Sequence, residues 1–239
     1  MDRDTITRRR LSDEVVDRLE GLIHSGELGL GEKLPSERDL MERFGVGRPS
    51  VREALFSLQK MGLVAITSGE RARVTKPTPE TVLNGLTGTV RHVLTDAQGV
   101  RHLQEARLFF EAGLARHAAL HAADEDIARL QQALGENQRA LGDLEAFERT
   151  DVTFHYVLAE IPQNPVFVAI HEAVVGWLTE QRNTSLRNPG AAQNGYDWHA
   201  RIFAAVADHD VDEAERAMRG HLGEVSQYYW RAKGSAEES

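Results

Sequence analysis

The 239-residue chain contains no cysteine. Disulfides, zinc fingers, thiolate metal sites and cysteine nucleophiles are thereby excluded. Nor does any apolar run approach the ~20 residues needed to cross a bilayer. The first ten residues, MDRDTITRRR, are charged with no apolar segment behind them. No secretory leader and no membrane partner are therefore expected, and the expected location is cytoplasmic. There is no internal repeat, and low complexity is confined to a short polar tail at 234–239, expected to be disordered. What is present suits a packed core: 41% hydrophobic and 27% charged residues, in a length that fits one large domain or two ordinary ones.

Charge is unevenly spread. The net charge of −9 alone argues against a nucleic-acid partner, yet residues 1–77 hold 14 Lys/Arg against 13 Asp/Glu. The remainder holds 14 basic and 24 acidic residues, a net −10. Within 33–76 the count is 9 basic to 5 acidic. A mildly basic N-terminal unit thus precedes an acidic one, and a local basic face matters more for DNA than the overall balance.

In the first unit, Val15, Leu19, Leu22 and Ile23 fall at helical spacing over 11–25, where Gly26 and Gly29 end the pattern. Ser36 is a good N-cap for a second helix, with Asp39 at the capping-box position and Leu40, Met41 and Phe44 on its apolar side. Gly45 and Gly47 make a turn before a third helix, about Arg48 to Lys60. Leu63, Val64, Ile66 and Val74 then flank Thr67-Ser68-Gly69-Glu70, a hairpin pattern. This is the order of a winged helix-turn-helix, expected over 8–76.

Arg48 and Arg52, four residues apart, project from one face of the third helix, while Val51, Leu55 and Leu58 face inward. A helix N-terminus bearing two arginines and Ser50 suits a major groove, since arginine grips guanine O6/N7 and free N–H groups meet phosphate. Arg38 adds a third guanidinium. The alternative is a solvated charged face. Double-stranded operator DNA is the expected partner.

Lys76-Pro77-Thr78-Pro79 reads as a linker, placed at 77–80. Beyond it no convincing strand run occurs. Helical patterns occupy about 80–94, 99–122, 124–141, 143–160, 164–182, 193–208 and 210–231. The expected fold is mainly α: the winged helix-turn-helix, then an all-α antiparallel bundle of six or seven helices over 81–233, binding an effector and dimerising.

Helical phase singles out four residues in the acidic unit. Asp151 and His155 share an inward stripe with Phe154 and Leu158, His199 one with Ile202, Phe203 and Val206, and His221 one with Met218, Leu222 and Val225. One carboxylate and three imidazoles can therefore point into a common interior. Such a set suits Zn²⁺, or Ni²⁺ or Mn²⁺ with open positions; singly, each histidine is better explained as a satisfied core or surface residue, and it is the joint phase agreement that favours metal. His171, on the stripe Phe167, Ile170, Val174 and Leu178, can line the same cavity. His117 and His121 lack a carboxylate in phase and read as helix-end histidines. Arg107 and Glu111 form an i,i+4 pair, worth little if exposed.

PSERDL (35–40), GRPSVREAL (47–55) and GLVAITSGERARV (62–74) resemble the DNA-binding domain of the GntR transcription-factor family. The resemblance implies that Arg38, Arg48, Ser50 and Arg52 contact the operator and that Gly69, at the wing tip, reaches the minor groove. One departure is Gly47, where many relatives carry Ser or Thr: glycine can still cap the helix, but it brings no hydroxyl to a phosphate. Arg107-Leu-Phe-Phe-Glu111, Asp151 with His155, His199 and His221 resemble the ligand-binding domain called FCD. That implies Asp151, His155, His199 and His221 as metal ligands and Arg107 facing an effector carboxylate. GERARV (69–74), RLFFE (107–111) and the segment 151–171 are similar to sialic-acid-responsive members, which implies N-acetylneuraminate, a sugar acid, as effector.

The resulting expectation is a homodimeric, metal-containing repressor released by a small carboxylate effector, and not an enzyme. Two alternatives use the same residues. One is a metal-dependent hydrolase or lyase acting on a sugar acid, with Glu111 or His171 as base. The other is a regulator for which the metal itself is the signal.

Overall fold

A computed structural model describes residues 9–237. Its contacts divide the chain into two units, Met1–Gly85 and Leu86–Ser239.

In the first unit α1 (Leu11–His24), α2 (Glu37–Phe44) and α3 (Arg48–Lys60) precede β1 (Val64–Ala65) and β2 (Arg73–Val74). Val15 and Leu19 of α1, Leu40 of α2, and Val51, Leu55 and Leu58 of α3 close one core, as the spacing predicts. The capping box is made: the Asp39 N–H donates to Ser36 Oγ at 3.2 Å, and the Ser36 N–H to Asp39 Oδ2 at 3.1 Å. Gly45, at φ 65°, ends α2 in the left-handed conformation that glycine adopts without strain. The wing ladder is short, pairing Val64 with Val74 and Ala65 with Arg73, and Lys33 bridges to Arg73 on its other side. At its tip the Glu70 N–H donates to the Thr67 carbonyl at 3.1 Å, and Gly69 supplies the positive φ of 80° that the turn requires.

The expected linker at 77–80 is shorter than its two prolines imply. α4 (Pro79–Val93) begins at Pro79, because a proline in the first helical turn loses no intrahelical bond. Thr78 Oγ1 accepts from the Thr81 N–H and caps it.

The second unit continues with α5 (Ala97–His121), α6 (Asp124–Arg139), α7 (Leu144–Glu160), α8 (Pro165–Trp177), α9 (Thr179–Leu186), α10 (Ala191–Ala207) and α11 (Val211–Glu237). The described residues past Pro77 thus form eight helices, not six or seven. The difference lies in the pattern at 164–182, which is two helices. Leu178 leaves helical geometry (φ −96°, ψ 18°), and the Thr179 hydroxyl donates to the Val175 and Gly176 carbonyls, competing with the backbone ladder. Of the polar tail expected to be disordered, residues 234–237 continue α11, while 238–239 lie outside the described residues, as does residue 8.

Long-range polar contacts fix the helix directions. α5 and α11 run antiparallel, since Arg116 meets Asp212 and Glu215 while Gln104 meets Ser226 and Trp230. α6 and α7 do likewise, through Arg129 with Glu160 and Asn137 with Thr150. Between them lie Ala112, Ala115, Ala118 and Ala119 of α5, Phe154 and Leu158 of α7, Ile202 and Val206 of α10, and Met218 of α11, all buried. The alanines let α5 approach α11 closely. Gly220 does the same for α10, because a Cβ there would stand 2.4 Å from the Trp198 ring. No helix among the described residues is long and apolar enough to cross a membrane.

Candidate functional site

The phase argument holds in three dimensions. Asp151 and His155 on α7, His199 on α10 and His221 on α11 are all buried, and one ligand atom from each lies within 4.8 Å of the others. The three imidazole Nε2 atoms form a near-equilateral triangle: 3.2 Å between His155 and His221, and 3.3 Å from His199 to each. Asp151 Oδ1 lies 3.5 Å from His199 Nε2. Ligands ~2.0–2.1 Å from a tetrahedral zinc ion stand ~3.3–3.4 Å apart, so the triangle has the dimensions of one coordination sphere.

The outer nitrogens determine what those Nε2 atoms carry. His199 Nδ1 lies 3.0 Å from Asn137 Oδ1, an acceptor, so that nitrogen bears the hydrogen and Nε2 keeps its lone pair. His155 Nδ1 meets Glu111 Oε2 in the same sense. Lone pairs aimed at one point repel one another unless a cation sits between them. Burial holds both His199 and His221 well below the ordinary imidazole range, which keeps them in the neutral form a metal ligand needs. The donor set fits a divalent ion.

Glu111 is the residue whose role the sequence pattern understates. Arg107 Nε donates to Glu111 Oε1 at 2.6 Å, and the two side chains are only 8% and 2% exposed. This is no surface pair. Burial opposes ionisation of Glu111, but Arg107 and His155 outweigh it and hold the carboxyl well below its usual range. One carboxylate thereby orients a candidate metal ligand and a candidate effector-binding arginine together. The i,i+4 spacing of Arg107 and Glu111 was visible; that His155 would meet the second oxygen was not.

A narrow cavity of about 20 Å³, room for about one water, opens beside the cluster, so a larger guest requires the surrounding helices to move apart. Arg107, Asp151 and His221 line it, together with Arg182, Asn194 and Tyr228. His171 is not among its lining residues; it stacks near His155, with ring centroids 6.4 Å apart, and burial pushes its pKa down to about 4. His117 and His121 face one another at the end of α5, outside the cluster.

On the N-terminal unit, Arg48 and Arg52 share a face, because both reach the same carboxylate: Arg52 Nε lies 3.2 Å from Glu37 Oε1 and Arg48 Nε 3.7 Å from Glu37 Oε2. Both stay well exposed, at 64% and 70%. Arg38 is exposed on α2, paired with Glu42 at 3.3 Å, and Ser50 sits in the first turn of α3. Gly47 caps that helix with no side-chain bond, as expected. Arg52 and Phe56 of α3 share a cleft with Ile66 and Gly69 of the wing.

A winged helix-turn-helix with an arginine-bearing third helix, followed by a helical unit with a buried Asp/His cluster, is the architecture of a DNA-binding transcriptional regulator. Residues 11–74 match the family model "Bacterial regulatory proteins, gntR family", and residues 102–224 match the FCD domain. Over 231 residues the chain is 47% identical to the HTH-type transcriptional repressor NanR of Escherichia coli (strain K12), covering 96% of this chain and 88% of that protein. It is 46% identical over 239 residues to NanR of Klebsiella aerogenes, covering 99% and 92%. Among solved structures, Streptococcus agalactiae GntR shares the fold at a TM-score of 0.57 and 24% identity, over 90% of this chain and 99% of that one. E. coli McbR/YncC does so at 0.53 and 17%, over 94% and 99%. The chain belongs to the GntR family of transcriptional regulators, with an FCD effector-binding domain. Its relatives and fold are those of operator-binding regulators and not of enzymes.

Proposed function

We propose that this regulator is a homodimeric cytoplasmic repressor that holds one divalent ion per chain and is released from its operator by a monocarboxylic sugar acid, with N-acetylneuraminate the first candidate. One observation carries the reading: the buried Nε2 triangle and Asp151 adjoin a cavity lined by Arg107. The proposed metal is Zn²⁺, with Ni²⁺ or Mn²⁺ the alternatives, held by Asp151, His155, His199 and His221. When bound, it supplies positive charge and Lewis acidity toward an anionic oxygen. The choice of sugar is supported by the resemblance of segments 69–74, 107–111 and 151–171 to sialic-acid-responsive family members.

The chain's own residues set the charge of the guest. Arg107 contributes +1, Asp151 and Glu111 together −2, and a divalent ion +2, leaving +1 for one carboxylate to balance. Arg107 orients that carboxylate, while Glu111 keeps the guanidinium in place. On the DNA side, Arg48 and Arg52 read base edges, Arg38 and Ser50 position the helix, and Gly69 lets the wing tip reach the minor groove. The sugar acid can weaken operator binding only by binding two arrangements of the protein with different affinity.

The test is a thermal-shift screen of sugar acids against metal-loaded protein, followed by gel shifts on the operator. A true effector stabilises by ~2.7 kcal/mol at a hundredfold over Kd and lowers operator affinity. Operator release by metal alone, with no response to any sugar acid, would refute the reading.

A further inference from the structure

The cavity has a second guanidinium that neither the metal cluster nor the carboxylate clamp uses. Arg182, on α9, is 7% exposed and lines the cavity beside Asp151 and His221. It also lines an adjoining space together with Arg107, Gln104 and Gln181. Two of its nitrogens are engaged: Nη2 donates to Glu148 Oε1 at 3.1 Å and Nη1 to the Val175 carbonyl at 3.2 Å. Its Nε–H is buried and has no acceptor among the described residues. Next to it in sequence, Gln181 Oε1 is a buried acceptor with no donor, and Gln181 is likewise 7% exposed.

An unmade hydrogen bond at a buried donor is costly, so a group that supplies the partner is selected strongly. The kind of partner follows from charge. Glu148 already neutralises Arg182, so the free Nε–H calls for an uncharged oxygen rather than a second carboxylate. A lone donor and a lone acceptor on residues that line one space are together the complement of a group that both accepts and donates, a hydroxyl or an amide. We propose that Arg182, with Gln181, is the specificity-determining pair for the effector's neutral tail. The site would then select monocarboxylates carrying a hydroxyl- or amide-bearing chain and reject both tail-free acids and dicarboxylates.

This rests on the sugar-acid reading above, and the test separates the two. Metal-loaded full-length protein is titrated with N-acetylneuraminate, with galactarate, and with glycolate, which has the carboxylate and 2-hydroxyl but no tail. Arg182→Lys keeps a positive charge against Glu148 and removes the Nε–H; Gln181→Met removes only the acceptor. In each variant N-acetylneuraminate should bind about tenfold more weakly, the worth of one lost charge-assisted or buried hydrogen bond. Glycolate affinity should be unchanged, and galactarate should bind wild type more weakly than N-acetylneuraminate. A purely structural role would weaken both monocarboxylates equally. Equal loss for both, or no loss for N-acetylneuraminate in either variant, overturns the inference and leaves the sugar-acid reading standing. Failure of wild type to bind N-acetylneuraminate overturns that reading, and this inference with it.

Discussion

Replacing Glu111 by Gln removes one charge from the point where the proposed metal centre and the proposed effector clamp meet. The change is nearly isosteric, so no cavity forms. Arg107, 7% exposed, loses the carboxylate 2.6 Å from its Nε and becomes a buried charge facing a neutral amide. Breaking a buried ion pair from one side costs ~3–5 kcal/mol. The nearby Asp151 still attracts Arg107, which places the expected loss near the lower end, ~3 kcal/mol. A convenient probe exists, because all three tryptophans, Trp177, Trp198 and Trp230, lie in the helical unit. Guanidinium unfolding followed by tryptophan fluorescence therefore reports on that unit alone. In parallel, His155 loses the anionic partner at its Nδ1, and chelator competition should show metal affinity weakened ~10–100-fold. In metal-loaded protein, where the ion would compensate Asp151, the double variant Arg107→Met/Glu111→Leu removes both members of the pair and should cost less than Glu111→Gln alone. Wild-type stability and metal affinity in Glu111→Gln would refute the claim that this carboxylate orders both sites.

His199→Ala should lower bound zinc to well below one per chain by elemental analysis, because it removes one corner of the Nε2 triangle; full occupancy would disprove the cluster. Arg48→Ala and Arg52→Ala should each cost ~1–3 kcal/mol of operator affinity in gel shifts, with metal content unchanged; wild-type affinity in both would contradict the recognition-helix assignment. Glu37→Gln frees both arginines from an exposed carboxylate, and since exposed pairs are worth ~0.2–1 kcal/mol, affinity for random duplex should rise no more than about fivefold. An unchanged or lower affinity would mean that Glu37 does not compete with DNA for Arg48 and Arg52.

The N-terminal unit was largely legible because its signals are local. Ser36 with Asp39, the glycines at 45 and 69, and the inward positions 51, 55 and 58 each act within a few residues, and each does in the structure what its chemistry dictates. The convergence of the candidate metal ligands was legible for a different reason: helical phase brings Asp151, His155, His199 and His221 to inward stripes, and only one interior is available to three packed helices. Less visible was the break at Leu178, because no proline marks it and the polar residues that follow are compatible with a continuing helix; the cause is a hydroxyl at Thr179 capturing carbonyls that a longer helix would need. That break matters, because it starts a new helix and turns Arg182 toward the cavity, where the unbroken pattern gave no reason to look.

The acidic character of the helical unit bears on what it can bind. Residues 78–239 carry a net −10, which in water repels anions only weakly and within a Debye length of ~8–10 Å. Inside the bundle the surface charges are screened, and the interaction of a bound anion is governed by the few groups it touches. Those groups have been sorted by pairing. Arg182 is neutralised by Glu148, and Arg107 is opposed by a carboxylate that also serves His155. Neither arginine alone presents a full free charge to a guest. On the proposed reading an anion gains its main electrostatic stabilisation only when the histidine cluster holds a cation, so effector affinity is expected to depend on metal. The same dependence would account for three buried imidazoles whose ring nitrogens converge: in the proposed centre the guest and the ion would stabilise each other.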